Sequence, residues 1–85
     1  MAVDGYVLIE AEGGKAKSVA RAIAERPDLG AALTRVDVVT GPFDVIAQVH
    51  ADDLGALGQC LSGIRAVSGV RRTTTCVILA PVEDA

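Results

Sequence analysis

The chain is short of aromatic residues, of histidine and of clustered positive charge. Only 2% of its 85 residues are aromatic, tryptophan is absent, histidine occurs once, and the net charge is −3. Nucleic-acid-binding proteins bind phosphates through concentrated Lys and Arg, and a negatively charged chain repels them. The nearest approach to a basic patch is Arg65 with Arg71 and Arg72, which a solvated helix end beside a strand edge explains better. We therefore expect no direct binding to nucleic acid.

Cysteine is also scarce, and long hydrophobic runs are missing. Cys60 and Cys76 lack CxxC spacing and lie in apolar stretches, so buried free thiols are expected, with a disulfide as the alternative. No stretch reaches the length of a membrane span, and residues 1–6 lack the basic and apolar regions of a signal peptide. These absences predict a cytoplasmic protein without a membrane association and without a metal or other cofactor.

Aliphatic residues are what the chain has in quantity. Hydrophobic residues make up 51% of the composition, and most of them are Val, Ile, Leu and Ala. A chain of 85 residues forms one domain, which we place at 1–85. A domain of this size buries only about 60% of the surface that its unfolded form exposes. Its own core is therefore expected to be marginal.

Hydrophobic periodicity predicts six elements in the order βαββαβ. Strands are expected at 5–11, 33–40, 45–50 and 70–79, and helices at 15–26 and 53–67. Pro27 is expected to end the first helix, and Asp52 to cap the second. The predicted buried stripes are Ala16, Val19, Ala20 and Ile23 in the first helix and Leu54, Leu57, Leu61 and Ile64 in the second. The order predicts an α+β ferredoxin-like fold, a four-stranded antiparallel sheet with two helices on one face.

The strands indicate a sheet that is apolar on both faces. A sheet with one solvated face alternates apolar and polar residues, but the runs 7–9, 45–47 and 76–79 do not alternate. Two helices cover one face only. Because an apolar surface of that size is rarely left in water, we expect a second copy of the chain to cover the other face and form a homodimer.

Two short motifs are more specific. Thr40, Gly41, Phe43 and Asp44 form a Thr-Gly-x-aromatic-Asp turn between the second and third strands, and residues 69–75 read Gly-Val-Arg-Arg-Thr-Thr-Thr where the fourth begins. With the element order, these motifs resemble the effector-binding domain of the Lrp/AsnC family of transcriptional regulators, over residues 6–79. Full-length members of that family begin with a helix-turn-helix. Since the first strand here starts soon after Met1, a domain without its own DNA-binding region is expected.

The resemblance implies a non-enzymatic amino-acid sensor that assembles into a ring of dimers, alone or with full-length Lrp/AsnC regulators. In that family the effector lies between neighbouring dimers, and the matching positions here are Gly41, Phe43, Asp44, Thr73, Thr75 and Cys76. The residue types suit a zwitterion, because Gly41 admits a close backbone approach, Asp44 can pair with an ammonium group, and the threonines offer hydroxyls. The plainer alternative is ordinary turn chemistry and strand propensity.

Two other classes of protein are also consistent with the sequence. Small dimeric α+β-barrel enzymes, such as cofactor-free monooxygenases and isomerases, share the βαββαβ plan, and His50 ends an apolar strand beside Asp52 and Asp53. Such enzymes need aromatic walls or convergent polar groups, so a strand-end histidine near acidic caps is the simpler interpretation. The third class is an amino-acid-binding regulatory module of the ACT type. An enclosed pocket within one subunit would favour the enzyme, and a polar site at residues 40–44 would favour the sensor.

Overall fold

The computed structural model describes residues 2–26, 29 and 33–82, and its elements follow the predicted order. They are β1 (Val3–Ala11), α1 (Ala16–Ala24), β2 (Leu33–Val38), β3 (Val45–Ala51), α2 (Leu54–Arg65) and β4 (Val70–Val77). The four strands form one sheet in the order β2-β3-β1-β4, and every neighbouring pair is antiparallel. The prediction of an α+β ferredoxin-like fold is confirmed.

One face of the sheet, the covered face, packs against both helices. Alternate residues of β1 and β3 point to this face and are at most 1% exposed, namely Val7, Ile9, Val45, Ala47 and Val49. They form one cluster with helix residues that include Val19, Ala20, Ile23, Leu57, Cys60 and Ile64. Full burial of an aliphatic side chain contributes roughly 1.5–3 kcal/mol. This cluster is therefore the main source of stability within one chain.

The buried face of α1 is the predicted one, but that of α2 is shifted. The buried residues of α2 are Leu57, Cys60 and Ile64, whereas Leu54 is 69% exposed. The N-cap is Asp53 rather than Asp52, because its Oδ1 accepts the backbone N–H of Ala56 at 2.7 Å. The helix thus begins at Leu54, which places this side chain in the first turn, beyond the core. The predicted cap and the predicted burial of Leu54 are wrong.

Four elements end before their predicted positions. α1 ends at Ala24, β2 at Val38 and α2 at Arg65, and β4 ends at Val77 rather than at residue 79. The pairing of β4 with β1 stops where Gly5 lies opposite Val77, and beyond it Ile78 donates its N–H to the Asp4 carbonyl at 2.8 Å. Pro27, which is expected to end the first helix, lies outside the described residues.

The other face of the sheet, the open face, is covered by no element of the described chain. The strand register brings together at its centre Tyr6, Leu8, Ile46, Thr74 and Cys76. Leu8 and Ile46 are half-buried, and Tyr6 is 39% exposed. The open face is less apolar than the unbroken runs suggested, because half of each run belongs to the covered face.

Polar pairs border the open face along the strand direction. At one border His50 Nδ1 lies 2.7 Å from Asp4 Oδ1, and at the other Arg72 lies 3.8 Å from Glu10. His50 therefore faces an aspartate on the neighbouring strand rather than the acidic residues that follow it in sequence. The open face therefore has Leu8 and Ile46 at its centre and polar residues around them, with Gln48 opposite Tyr6 and Asp37 opposite Ile46.

Candidate functional site

The two sequence motifs lie at the same end of the sheet. Ile9, near the end of the central strand β1, pairs with Val45 at the start of β3 and with Thr73 near the start of β4. The turn at residues 40–44 and the start of β4 therefore lie on either side of the last residues of β1. Because neighbouring strands are about 4.8 Å apart, the two motifs are separated by about 10 Å.

Asp44 ties the hairpin turn to β1. Its Oδ2 accepts the backbone N–H of Ala11 at 2.8 Å, and its own N–H donates to the Ile9 carbonyl at 2.9 Å. Its carbonyl accepts the N–H of Val39, also at 2.9 Å. One carboxylate oxygen thus satisfies a backbone donor where the regular pairing of β1 and β3 ends. Within one chain Asp44 is first of all an anchor for the turn.

The remaining turn residues leave backbone accessible to a ligand. Gly41 has φ of +145°, a value in the left-handed region that side-chain-bearing residues rarely adopt. No atom lies within 4 Å of a Cβ built on Gly41, so the conformation requires glycine although the space around it is open. Phe43 is half-buried. The turn therefore presents a fixed, exposed backbone beside an anchored carboxylate.

Thr73 and Thr75 lie on the same face of β4. Thr73 and Thr75 pair with Ile9 and Val7 of β1 and so lie on the helix side of the sheet. The Thr73 hydroxyl oxygen accepts the Nε–H of Arg65, at the end of α2, at 3.2 Å. The hydroxyl of Thr73 is therefore directed to the end of α2 rather than across β1 to residues 40–44.

Cys76 lies apart from the hairpin turn and from the two threonines. It pairs with Tyr6 on the open face and is an exposed free thiol. The expectation of two buried thiols is confirmed for Cys60 and wrong for Cys76, because alternation along β4 turns Cys76 away from the helices. Within one chain the six candidate residues occupy three places, namely the turn, the α2 side of β4 and the open face.

The start of β4 is held close to α1 by a glycine. Gly69 has φ of +97°, and a Cβ there would lie 2.9 Å from Val19 Cγ2, closer than side chains tolerate. Its carbonyl accepts the N–H of Glu12 at 2.8 Å. The glycine of the second motif therefore has a packing role, since it allows β4 to start against α1 and beside the end of β1.

Sequence reasoning missed a cleft lined by arginine. A cavity of about 300 Å³ at the start of β4 is lined by Arg65, Val70, Arg71, Arg72 and Thr73. A β-bulge contributes to it, because Glu10 pairs with Arg72 and Ala11 with Val70, which leaves Arg71 as the extra residue on β4. The sequence places Arg65 near a predicted helix end and Arg71 and Arg72 near a predicted strand start, and this proximity was the available signal. The three arginines were expected to be solvated, and a β-bulge such as the one at Arg71 has no simple sequence pattern.

Comparison with known proteins assigns the chain to a family. The model of the Lrp/AsnC ligand-binding domain matches residues 4–85. The chain belongs to this family. TTHA0845 from Thermus thermophilus has a similar structure, with a TM-score of 0.81 and 32% identity over 95% of this chain and 98% of that chain. No curated protein matches the chain significantly.

Two regulators share the fold of this Lrp/AsnC ligand-binding domain at lower identity. Escherichia coli AsnC has a TM-score of 0.80 at 17% identity, over 98% of this chain and 55% of AsnC. The transcriptional regulator NMB0573 of Neisseria meningitidis, solved as a complex with L-methionine, has a TM-score of 0.76 at 15% identity, over 95% of this chain and 52% of the regulator. In each case this chain corresponds to about half of the regulator.

The Lrp/AsnC assignment gives the two motifs a common context. The Thr-Gly-x-aromatic-Asp turn and the Gly-Val-x-Arg-Thr start of β4 meet at one end of the sheet, on either side of β1. The candidate ligand-binding region of the domain is therefore this end of the sheet, with the hairpin turn on one side of β1 and the arginine-lined cleft on the other.

Neither of the two helices that the structure describes is both long enough and apolar enough to cross a lipid bilayer.

Proposed function

We propose that this domain binds a free amino acid and assembles through its open face, and that it regulates transcription through partner regulators rather than by catalysis. The observation that carries the proposal is the position of both family motifs at one end of the sheet of an Lrp/AsnC ligand-binding domain. The Neisseria regulator, which has the same fold, forms a complex with an amino acid, L-methionine. An effector in the same chemical class is the simplest expectation for this chain.

The open face supports the assembly part of the proposal. Leu8 and Ile46 lie side by side at its centre, and Tyr6 lies beside them with 39% of its surface exposed. A second copy packed sheet to sheet would remove these side chains from water and leave the Asp4–His50 and Glu10–Arg72 pairs at the rim. Such a dimer would in turn pack against others to form a ring, with the motif end of the sheet at the contact between dimers.

The hairpin turn at residues 40–44 supports the proposal that the domain binds an amino acid. The backbone around Gly41 is exposed and could donate N–H groups to a ligand carboxylate. Asp44 has one oxygen on the Ala11 N–H, which leaves Oδ1 to accept from a ligand ammonium group. In an assembly of dimers, Thr73 and Thr75 of a neighbouring copy could complete the site that one chain leaves divided, whereas Cys76, opposite Tyr6 on the open face, would lie in the contact within a dimer.

No observation favours the enzyme alternative. His50 lies at the rim of the open face, where its side chain is 52% exposed, and the partner Asp4 is 56% exposed. A general base acts best in an enclosed site with convergent polar groups, and this pair is in open solvent.

Calorimetric titration of the purified protein with each of the free amino acids tests the proposal. At least one amino acid should bind with a Kd below about 1 mM, an affinity of about −4 kcal/mol or stronger, and should raise the Tm of the protein because it binds only the folded state. Absence of heat and of a Tm shift for every amino acid would contradict the sensing role and leave a domain that serves assembly alone.

A further inference from the structure

The two ends of the open face carry different kinds of ion pair. At the motif end Glu10 lies opposite Arg72, with 3.8 Å between the carboxylate and the guanidinium. At the other end Asp4 lies opposite His50, with 2.7 Å between Oδ1 and Nδ1. Arginine keeps its charge at all ordinary pH values, whereas histidine ordinarily gains its charge between about pH 5 and 8. The first pair is therefore neutral as a whole throughout this range, and the second is neutral only when His50 is protonated.

The surroundings of His50 offer Asp4 no second cation. The other ionisable side chains near His50 in the described chain are a phenol on β1, an arginine and a carboxylate on β2, and two carboxylates after β3, namely Tyr6, Arg35, Asp37, Asp52 and Asp53. Arg35 is paired with Asp37 at 2.7 Å. On β4 the residue beside Asp4 is Ile78, which brings no charge. A neutral His50 thus leaves the Asp4 carboxylate uncompensated.

Covering this end of the open face makes such a carboxylate more costly. Asp4 and His50 are exposed in one chain, and so are Tyr6 and Ile78 beside them on the same face. A second copy packed on Tyr6 and Ile78 would also remove water from the pair. A charge that loses water without a partner is costly, and a hydrogen-bonded pair of opposite charges loses less. The assembled form therefore favours the protonated imidazole more than one chain does.

We propose that protonation of His50 strengthens assembly through the open face, so that copies of the chain associate more tightly in mildly acidic solution. This inference rests on the proposed function, since it concerns the regulation of the proposed contact between copies. The direction follows from linkage. A group that binds its proton more tightly in the assembled form stabilises assembly where it is protonated, and this contribution is lost as the pH rises. In a two-fold symmetric dimer each copy contributes one such pair, which doubles the effect.

The dissociation constant of the assembly, measured by sedimentation velocity at about pH 7.5 and about pH 5.5 and at one ionic strength, tests this inference. The wild-type constant should be about fivefold lower at the lower pH, the size expected for two partly exposed ion pairs. His50→Gln keeps a polar side chain that does not titrate, and it should remove the difference. If the wild type does not dissociate at measurable concentrations, the same comparison is made in a Leu8→Ala background, which weakens the proposed contact.

Asp4→Asn separates the ion pair from the overall charge of the chain. In this variant protonation of His50 still makes the chain less negative, but the imidazolium has no carboxylate beside it. Lowering the pH should therefore weaken assembly of Asp4→Asn, the reverse of the wild-type effect.

The outcomes separate this inference from the proposed function. A wild-type assembly with the same dissociation constant at both pH values would keep the contact between copies and overturn its dependence on His50. Acid tightening that persists in His50→Gln or in Asp4→Asn would assign the effect to overall charge and would also overturn the inference. A wild-type monomer at both pH values would overturn the inference together with the proposed assembly.

Discussion

The two faces of the sheet are built from the same strands and the same kinds of residue, yet they differ in how completely they are buried. Ile9 and Val45 on the covered face are 0% exposed, while their sequence neighbours Leu8 and Ile46 on the open face are only half-buried. One chain therefore buries only one of the two faces of its sheet completely. Contacts of the covered face are made within the chain, and those of the open face are available to another copy.

The largest effect is expected from a pair of truncations at adjacent positions, one on each face. Ile9→Ala should lower the free energy of unfolding by about 2–5 kcal/mol, because it leaves a cavity in the buried cluster. Leu8→Ala should lower the free energy of unfolding by less, and the loss should shrink as the protein is diluted if Leu8 contacts a second copy, as proposed. Urea unfolding at two protein concentrations measures both. Equal losses of unfolding free energy in the two variants, independent of protein concentration, would contradict the proposed difference between the two faces.

A smaller effect is expected at the anchor of the hairpin turn. Asp44→Ala removes the acceptor of the part-buried Ala11 N–H and should lower the free energy of unfolding by about 1–3 kcal/mol at every concentration, because this contact is within the chain. Asp44→Asn keeps an oxygen for that N–H and should retain most of the stability. If Asp44 also pairs with a ligand ammonium group, Asp44→Asn should still weaken amino-acid binding. Full affinity in Asp44→Asn would leave Asp44 with the anchor role alone.

The smallest effect is expected at the cap of α2, one of the two helices that cover the sheet. Asp53→Ala should lower the free energy of unfolding by about 1 kcal/mol, the usual cost of losing an N-cap side chain. Asp52→Ala is the matched control, since Asp52 precedes the cap, and it should change stability little. Thermal unfolding of both variants is sufficient. The reverse order of effects would place the cap at Asp52.

Prediction from sequence succeeded where local patterns carry the information. The element order and the buried face of α1 follow from hydrophobic periodicity. It failed for Leu54 and Asp52, because two adjacent aspartates are equally good caps and only the tertiary position of α2 decides between them. It also failed for Cys76, because an unbroken apolar run gives no sign of which residues face the helices.

The candidate site was predictable only in part. The turn and the start of β4 were found as motifs, and the structure brings them to one end of the sheet. The anchoring bond from Ala11 to Asp44 joins residues 33 positions apart in sequence, so no local pattern contains it. The arginine-lined cleft depends on a bulge that is defined by pairing with β1. Both features are products of strand register, which the sequence specifies only through the whole fold.

The mass of the protein in solution tests most directly the claim that a second copy covers the open face. Multi-angle light scattering at micromolar concentration should give at least twice the mass of one chain for the wild type. Ile46→Asp places a charge at the centre of that face and should give a folded chain of monomer mass, because burying an unpaired carboxylate between two sheets is costly. A wild-type monomer, or an unchanged oligomer in Ile46→Asp, would contradict the account.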